Sequence, residues 1–430
     1  MTSLLHRTVL RTNSVPVVSS LYRALYRAAA AAAAHGLAEV EGTETVYLHR
    51  GMTAEGWRPG VSDIDLIVVH REFEEAPEEE RFLNRLAARR RVLKAVFPML
   101  GDLWIGTGPE LDDYLRWGGL RAWDDSPRWR VLAGKTRVLP ENAESQEKRR
   151  RLDPWVWALV SHMEVSRRLF CPTGLPQKED ADLRKLYLEV VRFSECALRG
   201  DGPPIPRSTA ARLHPEAFHQ APRALWEKSA VILDESSRAV LAAVKGTGGE
   251  TGCWAGTPGE ASLEDLRRSA GARGAVLDLP YHLFLIMGQG GGPKGLGKAA
   301  EALLSRRPAA VPLVIGPETW SLALQSSYLG APQGPGAPAA GELPEPILRL
   351  PAALRREAAA EAASWMALWW RPLWISREHP AEWKNFHLRT RAETLTAELE
   401  GKNPLSPSKK TEMDFSAMWK LQKRLRAAIR

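Results

Sequence analysis

The sequence predicts an α+β chain: an N-terminal α/β unit with a short mixed sheet, followed by a largely helical C-terminal region. Three observations carry that expectation. Over roughly the first third of the chain, short β-branched and apolar runs alternate with helix-patterned segments. Beyond residue 154 the apolar spacing is mostly helical, as in Trp155, Ala158, Leu159 and Met163. The composition, 44% hydrophobic and 26% charged over 430 residues, is that of a globular chain able to bury a sizeable core, which excludes wholesale disorder and a fibrous architecture.

Taken in order, residues 19–36 read as a helix, rich in alanine through 28–34 and closed by Gly36. Arg7, Arg11, Arg23 and Arg27 precede any acid, a composition an organelle transit peptide shares. A structural helix is the reading adopted here, because the Ala, Arg and Gly bias persists along the chain. Residues 45–48 and 64–69 read as strands, the second apolar except for Asp65. Residues 77–97 read as a helix with Glu78, Glu79 and Glu80 first and Arg89, Arg90, Arg91 and Lys94 last, the order a helix dipole favours. A strand at 102–105 and a helix at 109–117, stopped by Gly118-Gly119, complete the unit.

The expected organisation is an α/β domain over 1–145, a helical domain over 146–245, a Gly/Pro-rich small α/β segment over 246–345 with strands at 283–287 and 311–315, and a helical region over 346–430. No apolar run approaches the roughly 20 residues of a membrane span, so no membrane partner is expected. Cys171, Cys196 and Cys253 are too few for a disulfide framework, and the expected setting is cytoplasmic. A net charge of +8 is compatible with an anionic partner but modest for this length.

The informative stretch runs from Tyr47 to Val69: YLHRGMTAEGWRPGVSDIDLIVV. Asp63 and Asp65, two apart on a strand, share one face about 7 Å apart. Two carboxylates so close are costly unless a cation sits between them, and a hard divalent ion suits such oxygens. Gly51, in the turn before the strand, lets backbone N–H groups approach a phosphate.

Gly51-Met52, ten residues, then Asp63-Ile-Asp65 with apolar flanks resembles the signature of the DNA polymerase beta type nucleotidyltransferase superfamily, and Ser-Asp-Ile-Asp-Leu is similar to its bacterial small-molecule and minimal members. Asp102, followed five residues on by Thr107 and then Glu110, fits the family's third carboxylate. The resemblance covers about residues 20–115. It implies transfer of a nucleoside monophosphate from a nucleoside triphosphate, ATP by family frequency, to a hydroxyl acceptor, with pyrophosphate leaving. Asp63, Asp65 and Asp102 would be catalytic and would bind Mg²⁺ or Mn²⁺, while Gly51, Met52, Ser62 and Lys185 would meet the nucleotide.

Met52 departs from the pattern, standing where the family has serine. It keeps the backbone donor and loses the hydroxyl, a loss of roughly 1.5–3 kcal/mol for a charge-assisted bond. Ser62, Thr53 and Arg50 are the neighbours placed to compensate. The alternative reading is therefore a catalytically degenerate member that acts as a nucleotide-binding or protein-interaction module.

Other motifs have plainer readings. Residues 292–299 space glycines and Lys298 like a P-loop, but Ala299 replaces its Ser/Thr and the stretch reads as a loop. Lys185 has the context of a triphosphate-neutralising lysine, against a solvated helix face as the commoner case; Glu164 and Glu189 are weaker candidates for a base. Tryptophans 365, 369, 370, 374 and 383 at helical spacing read as a packing seam. The basic stretch 402–430 leaves RNA open as a partner, and a small hydroxylated molecule, a protein hydroxyl and an RNA 3′ end all stay open as acceptors.

Overall fold

The computed structural model describes residues 8–9, 11–13, 15–53, 57–60, 62–135, 152–170, 176–200, 202–244, 257–258, 276–279, 283–287, 311–315, 319, 322, 338–340, 352–376, 388–389, 391–402 and 414–430. The architecture is α+β, with a four-stranded mixed sheet in the N-terminal part and a mostly helical remainder. Two compact units divide it. Residues 1–146, 360–400 and 409–430 form the first, and residues 147–359 and 401–408 the second.

In the first unit, α1 (Pro16–Ala38) starts on a proline suited to an N-terminal helical position and buries Tyr26, Ala29, Ala30, Ala33, Ala34 and Leu37. The small side chains let it lie close against the sheet strands that follow. These are β1 (Thr43–His49), β2 (Ile64–His70), β3 (Leu100–Thr107) and β4 (Arg130–Gly134), in spatial order β3-β2-β1-β4. β1 is antiparallel to β2 and β4, while β2 and β3 are parallel. A parallel pair needs a crossover, and α2 (Ala76–Val96), with acids in its first turn and Lys94 in its last, supplies it. Along β2 only Asp65 keeps partial exposure, and its carboxyl is largely withdrawn from water. The rest of the strand is covered on both faces, which explains its unbroken apolar reading.

Thr107 ends β3 and caps α3 (Gly108–Trp117) in a reciprocal capping box with Glu110. Gly118 ends that helix as expected. Gly119, at φ +64°, then turns the chain into a further short helix, α4 (Gly119–Asp125). The sequence pattern marks neither α4 nor β4: β4 is a half-buried edge strand without a strong apolar run.

One face of the sheet packs Tyr47, Ile67, Val69 and Trp104 against Leu111, Tyr114, Leu115, Ala122 and Leu368, with Trp365 and Trp129 at its margin. Leu368 and Trp365 belong to α10 (Ala352–Ile375), whose residues from Ala360 onward are part of this unit. α11 (Arg391–Leu399) and α12 (Phe415–Ile429) complete it. Of the tryptophans of α10, Trp370 is core, 5.7 Å from Phe415, while Trp365 is half-buried and meets Trp104 edge-on at 5.0 Å.

The second unit packs α5 (Leu152–Phe170), α6 (Pro176–Arg199) and α9 (Pro222–Val244), with short helices α7 (Arg207–Leu213) and α8 (Glu216–His219). Leu183, Tyr187, Leu188, Val191 and Trp226 form its core. It also carries a five-stranded sheet in which the expected strands Leu283–Met287 and Val311–Ile315 run parallel. The P-loop-like stretch 292–299, Cys171, Cys253 and Trp383 lie outside the described residues. Among the described residues no helix is long and apolar enough to cross a membrane.

Candidate active site

The acidic motif sits where the glycine turn, the amino end of β2 and the start of β3 meet in the first unit. β1 and β2 place His49 opposite Asp65. Between β2 and β3, Ile64 pairs with Leu100 but Leu66 with Leu103, so three steps of β3 face two of β2. That bulge, at Gly101-Asp102, aims a backbone N–H at the acidic pair.

Asp65 is the hinge of the arrangement. Its Oδ2 accepts the Gly51 N–H at 3.2 Å and its Oδ1 accepts the Asp102 N–H at 2.9 Å. Both glycines are there for space. A Cβ on Gly51 would overlap the Asp63 carbonyl and stand 3.1 Å from Asp65 Oδ2, and a Cβ on Gly101 would overlap Asp65 Oδ1 and stand 2.6 Å from Asp63 Cβ. The structure thus brings Gly51, Asp63, Asp65 and Asp102 together, and adds Gly101, whose only signal in the sequence is its place beside Asp102.

Burial pushes the Asp65 carboxyl up, and Asp102 and Asp63 push it further, against the opposing pull of His49 and Arg50. A crowded carboxylate of this kind favours a cation beside it. His49 is fully buried, with Nδ1 3.5 Å from Asp125 Oδ2, and Asp125 also accepts the Trp129 Nε1–H at 3.1 Å. Burial alone would raise Asp125. The His49 imidazole, Arg50 and the Trp129 indole together hold it below the usual carboxylate range.

The remaining nucleotide candidates are arranged otherwise. Met52 is 7% exposed and packs into the core. Ser62 is buried, its Oγ accepting the Arg58 N–H at 3.2 Å, so it closes the 58–62 turn. Thr53 Oγ1 donates to the Arg50 carbonyl at 2.8 Å. The turn is anchored to α1: Tyr26 Oη accepts the Gly60 N–H at 2.8 Å, and its ring lies 5.9 Å from Trp57. Lys185 belongs to the second unit and is no part of the site the first unit builds by itself. There it adds to the field of Arg207 and Arg192 that overcomes burial and holds Glu189 down at about 2. Glu189 is therefore a paired structural acid and not a poised base. Glu164 lies 3.3 Å from Arg167.

The donor chemistry suits a hard divalent ion gripped by one or two carboxylates plus phosphate oxygens, the usual way magnesium is held. The three aspartates are not drawn into a tight cage: among the described residues no three His, Cys, Asp or Glu side chains are grouped to hold a metal ion. A cavity of about 320 Å³ in this unit lies at the other end of β2, lined by Glu72, Phe73, Thr107, Trp419 and Lys423. It is floored by the ion-paired seam of Glu79, Glu110 and Arg371 and does not face the aspartates. Bases of the C-terminal helix are engaged within the unit, Arg426 with Glu72 and Asp113, Arg430 with Asp113 and Arg424 with Glu400. No family model, no curated protein and no solved structure matches this chain.

Proposed function

We propose that the first unit is a Mg²⁺-dependent nucleotidyltransferase that moves a nucleoside monophosphate from a nucleoside triphosphate, ATP by preference, to a hydroxyl acceptor. The observation that carries this reading is the Asp65 carboxylate, fixed by the Gly51 and Asp102 N–H groups and crowded by Asp102 and Asp63. Asp63 and Asp65 would hold the metal together with the triphosphate, and Asp102 would stand on the acceptor side. When bound, the ion supplies charge neutralisation on the phosphates and a lowered pKa for the attacking hydroxyl. The chain's own work is positioning: Gly51 and Gly101 admit the phosphates and carboxylates into one volume, and Asp65 is held in a single orientation. A reducing cytoplasmic setting belongs to the same reading, consistent with the buried free thiol of Cys196.

Incubation with α-labelled nucleotides, metal and lysate-derived acceptors tests it. Wild type is expected to transfer label and an Asp63→Ala/Asp65→Ala protein is not; equal transfer by both would sink the proposal. A second reading, a nucleotide-binding or interaction module without catalysis, draws on the buried Met52 and the loose grouping of the three aspartates. It predicts triphosphate binding by wild type with no transfer to any acceptor.

A further inference from the structure

Arg50, between β1 and the turn Gly51–Thr53, has φ of +50°, and among the described residues it is the one non-glycine in the left-handed region. Such a conformation is unfavourable for an arginine and persists where the surroundings enforce it. The backbone is held by the Thr53 N–H and hydroxyl, which both donate to the Arg50 carbonyl, and the side chain is held by two indoles. The guanidinium carbon lies 5.1 Å from the Trp104 ring centre and 5.7 Å from that of Trp365. Its charge acts on Asp65 and Asp125, yet among the described residues it makes no ion pair or hydrogen bond with either. A half-buried guanidinium held by aromatic faces keeps its N–H fork available for a planar or tetrahedral oxyanion.

The Gly51 and Thr53 donors at the turn are already engaged. The Gly51 N–H serves Asp65, the Thr53 hydroxyl serves the Arg50 carbonyl, and the Met52 side chain is in the core. We propose that Arg50 is the phosphate-gripping residue of this site, its guanidinium binding non-bridging oxygens of a nucleoside triphosphate in place of the hydroxyl absent at position 52. The inference rests on the nucleotidyltransferase reading and specifies how that site holds its anionic substrate. It also accounts for the left-handed backbone, which carries the chain from β1 into the turn while the side chain stays on Trp104.

The test is titration calorimetry of the full chain with Mg²⁺ and a non-hydrolysable ATP analogue, using adenosine as the phosphate-free control. Arg50→Gly removes the guanidinium and relieves the left-handed conformation, so cooperative melting is expected to be kept. Loss of a charge-assisted bidentate contact corresponds to a triphosphate affinity about ten- to a hundred-fold weaker, with adenosine binding unchanged. Arg50→Lys keeps the charge without the fork and is expected to fall between. Wild-type affinity for the analogue in both variants would overturn the role of Arg50 while leaving the parent reading standing. Absence of analogue binding by wild type would overturn the parent reading, and this inference with it. If Arg50→Gly fails to melt cooperatively, Arg50→Lys alone decides, and its equality with wild type would count against the grip.

Discussion

Gly101 and Asp65 share one volume: a Cβ at position 101 would overlap Asp65 Oδ1 and lie 2.6 Å from Asp63 Cβ. Gly101→Ala must therefore displace one or both carboxylates or the bulge that carries Asp102. Overpacking of this kind costs about 1–3 kcal/mol. The expected outcome is a lower urea midpoint at unchanged m together with loss of label transfer. Wild-type transfer by Gly101→Ala would show that the two aspartates need not keep their present places.

Charge crowding gives a second prediction. Asp65 titrates above the ordinary aspartate value of 3.8 because burial, Asp102 and Asp63 all disfavour its charge. Where the folded carboxyl holds its proton more tightly than the unfolded one, stability falls as pH rises from 3.8 through the folded pKa, then levels off. Removing the exposed Asp102 charge should thus stabilise the apo protein at neutral pH by about 0.2–1 kcal/mol, a surface-scale effect. The gain of Asp102→Asn should shrink as pH is lowered toward 3.8. Urea midpoints at several pH values measure it, and a gain independent of pH would point to some cause other than repulsion.

Arg371 ties α10 to the helices α2 and α3 of the first unit. Its Nη1 and Nη2 donate to the two Glu110 oxygens at 2.8 and 3.1 Å, and its Nε donates to Glu79, which also accepts the Trp419 Nε1–H at 2.8 Å. All three charges are buried. Removing one partner strands the others, so Arg371→Met should destabilise by about 3–5 kcal/mol. Adding Glu79→Gln and Glu110→Gln should restore a substantial part of that loss. A triple variant no more stable than the single one would argue that packing, not charge, dominates this seam.

The neutral His70 gives a pH signature of opposite sign to that of Asp65. Burial pushes its imidazole down to about 3, with Arg371 acting in the same direction. Between pH 6.5 and 3 the unfolded chain binds a proton that the folded chain refuses. Stability should then rise with pH across that window, by up to about 1.4 kcal/mol per pH unit from this group, and flatten above 6.5. His70→Gln should remove that part of the slope. Identical slopes in wild type and variant would mean that His70 takes up a proton in the folded state.

The parts of this architecture legible in the sequence are those set by local pattern. The β2 run Ile64–His70, the acid-to-base order of α2 and the Thr107–Glu110 capping box each follow from residues close in the chain. The closeness of Asp63 to Asp65 is likewise local, although Asp63 stands one residue ahead of β2, whereas Asp102 is reached through the family resemblance and not through strand geometry. The illegible parts depend on distant partners. Nothing local in Trp365 or Leu368 says that they pack on the sheet face that holds Trp104, nor in Arg371 that it bonds to Glu110 on α3 and Glu79 on α2, 261 and 292 residues earlier. The left-handed backbone of Arg50 is equally hidden, since arginine carries no propensity for it and what holds it is the turn, through the Thr53 bonds to its carbonyl, together with two indoles from distant elements.

Position 52 sets a packing effect against a binding effect. From the sequence alone, Met52→Ser restores a hydroxyl and should tighten triphosphate binding by an order of magnitude or so. The structure buries the Met52 side chain to 7% exposure beside a turn whose backbone is already fixed by Asp65. Truncating a buried methionine to a small residue costs about 2–5 kcal/mol, and a hydroxyl left in an apolar site adds to that. A restored hydrogen bond to phosphate contributes roughly 1.5–3 kcal/mol and only when ligand is bound. The expected result is therefore a clearly lower apo melting temperature with no gain in triphosphate affinity, because the side chain at this position faces the core. Calorimetry and thermal scans on the same protein separate the two effects. Tighter binding despite the lower stability would mean that the serine turns outward, and would return the missing hydroxyl to the centre of the degenerate-site reading.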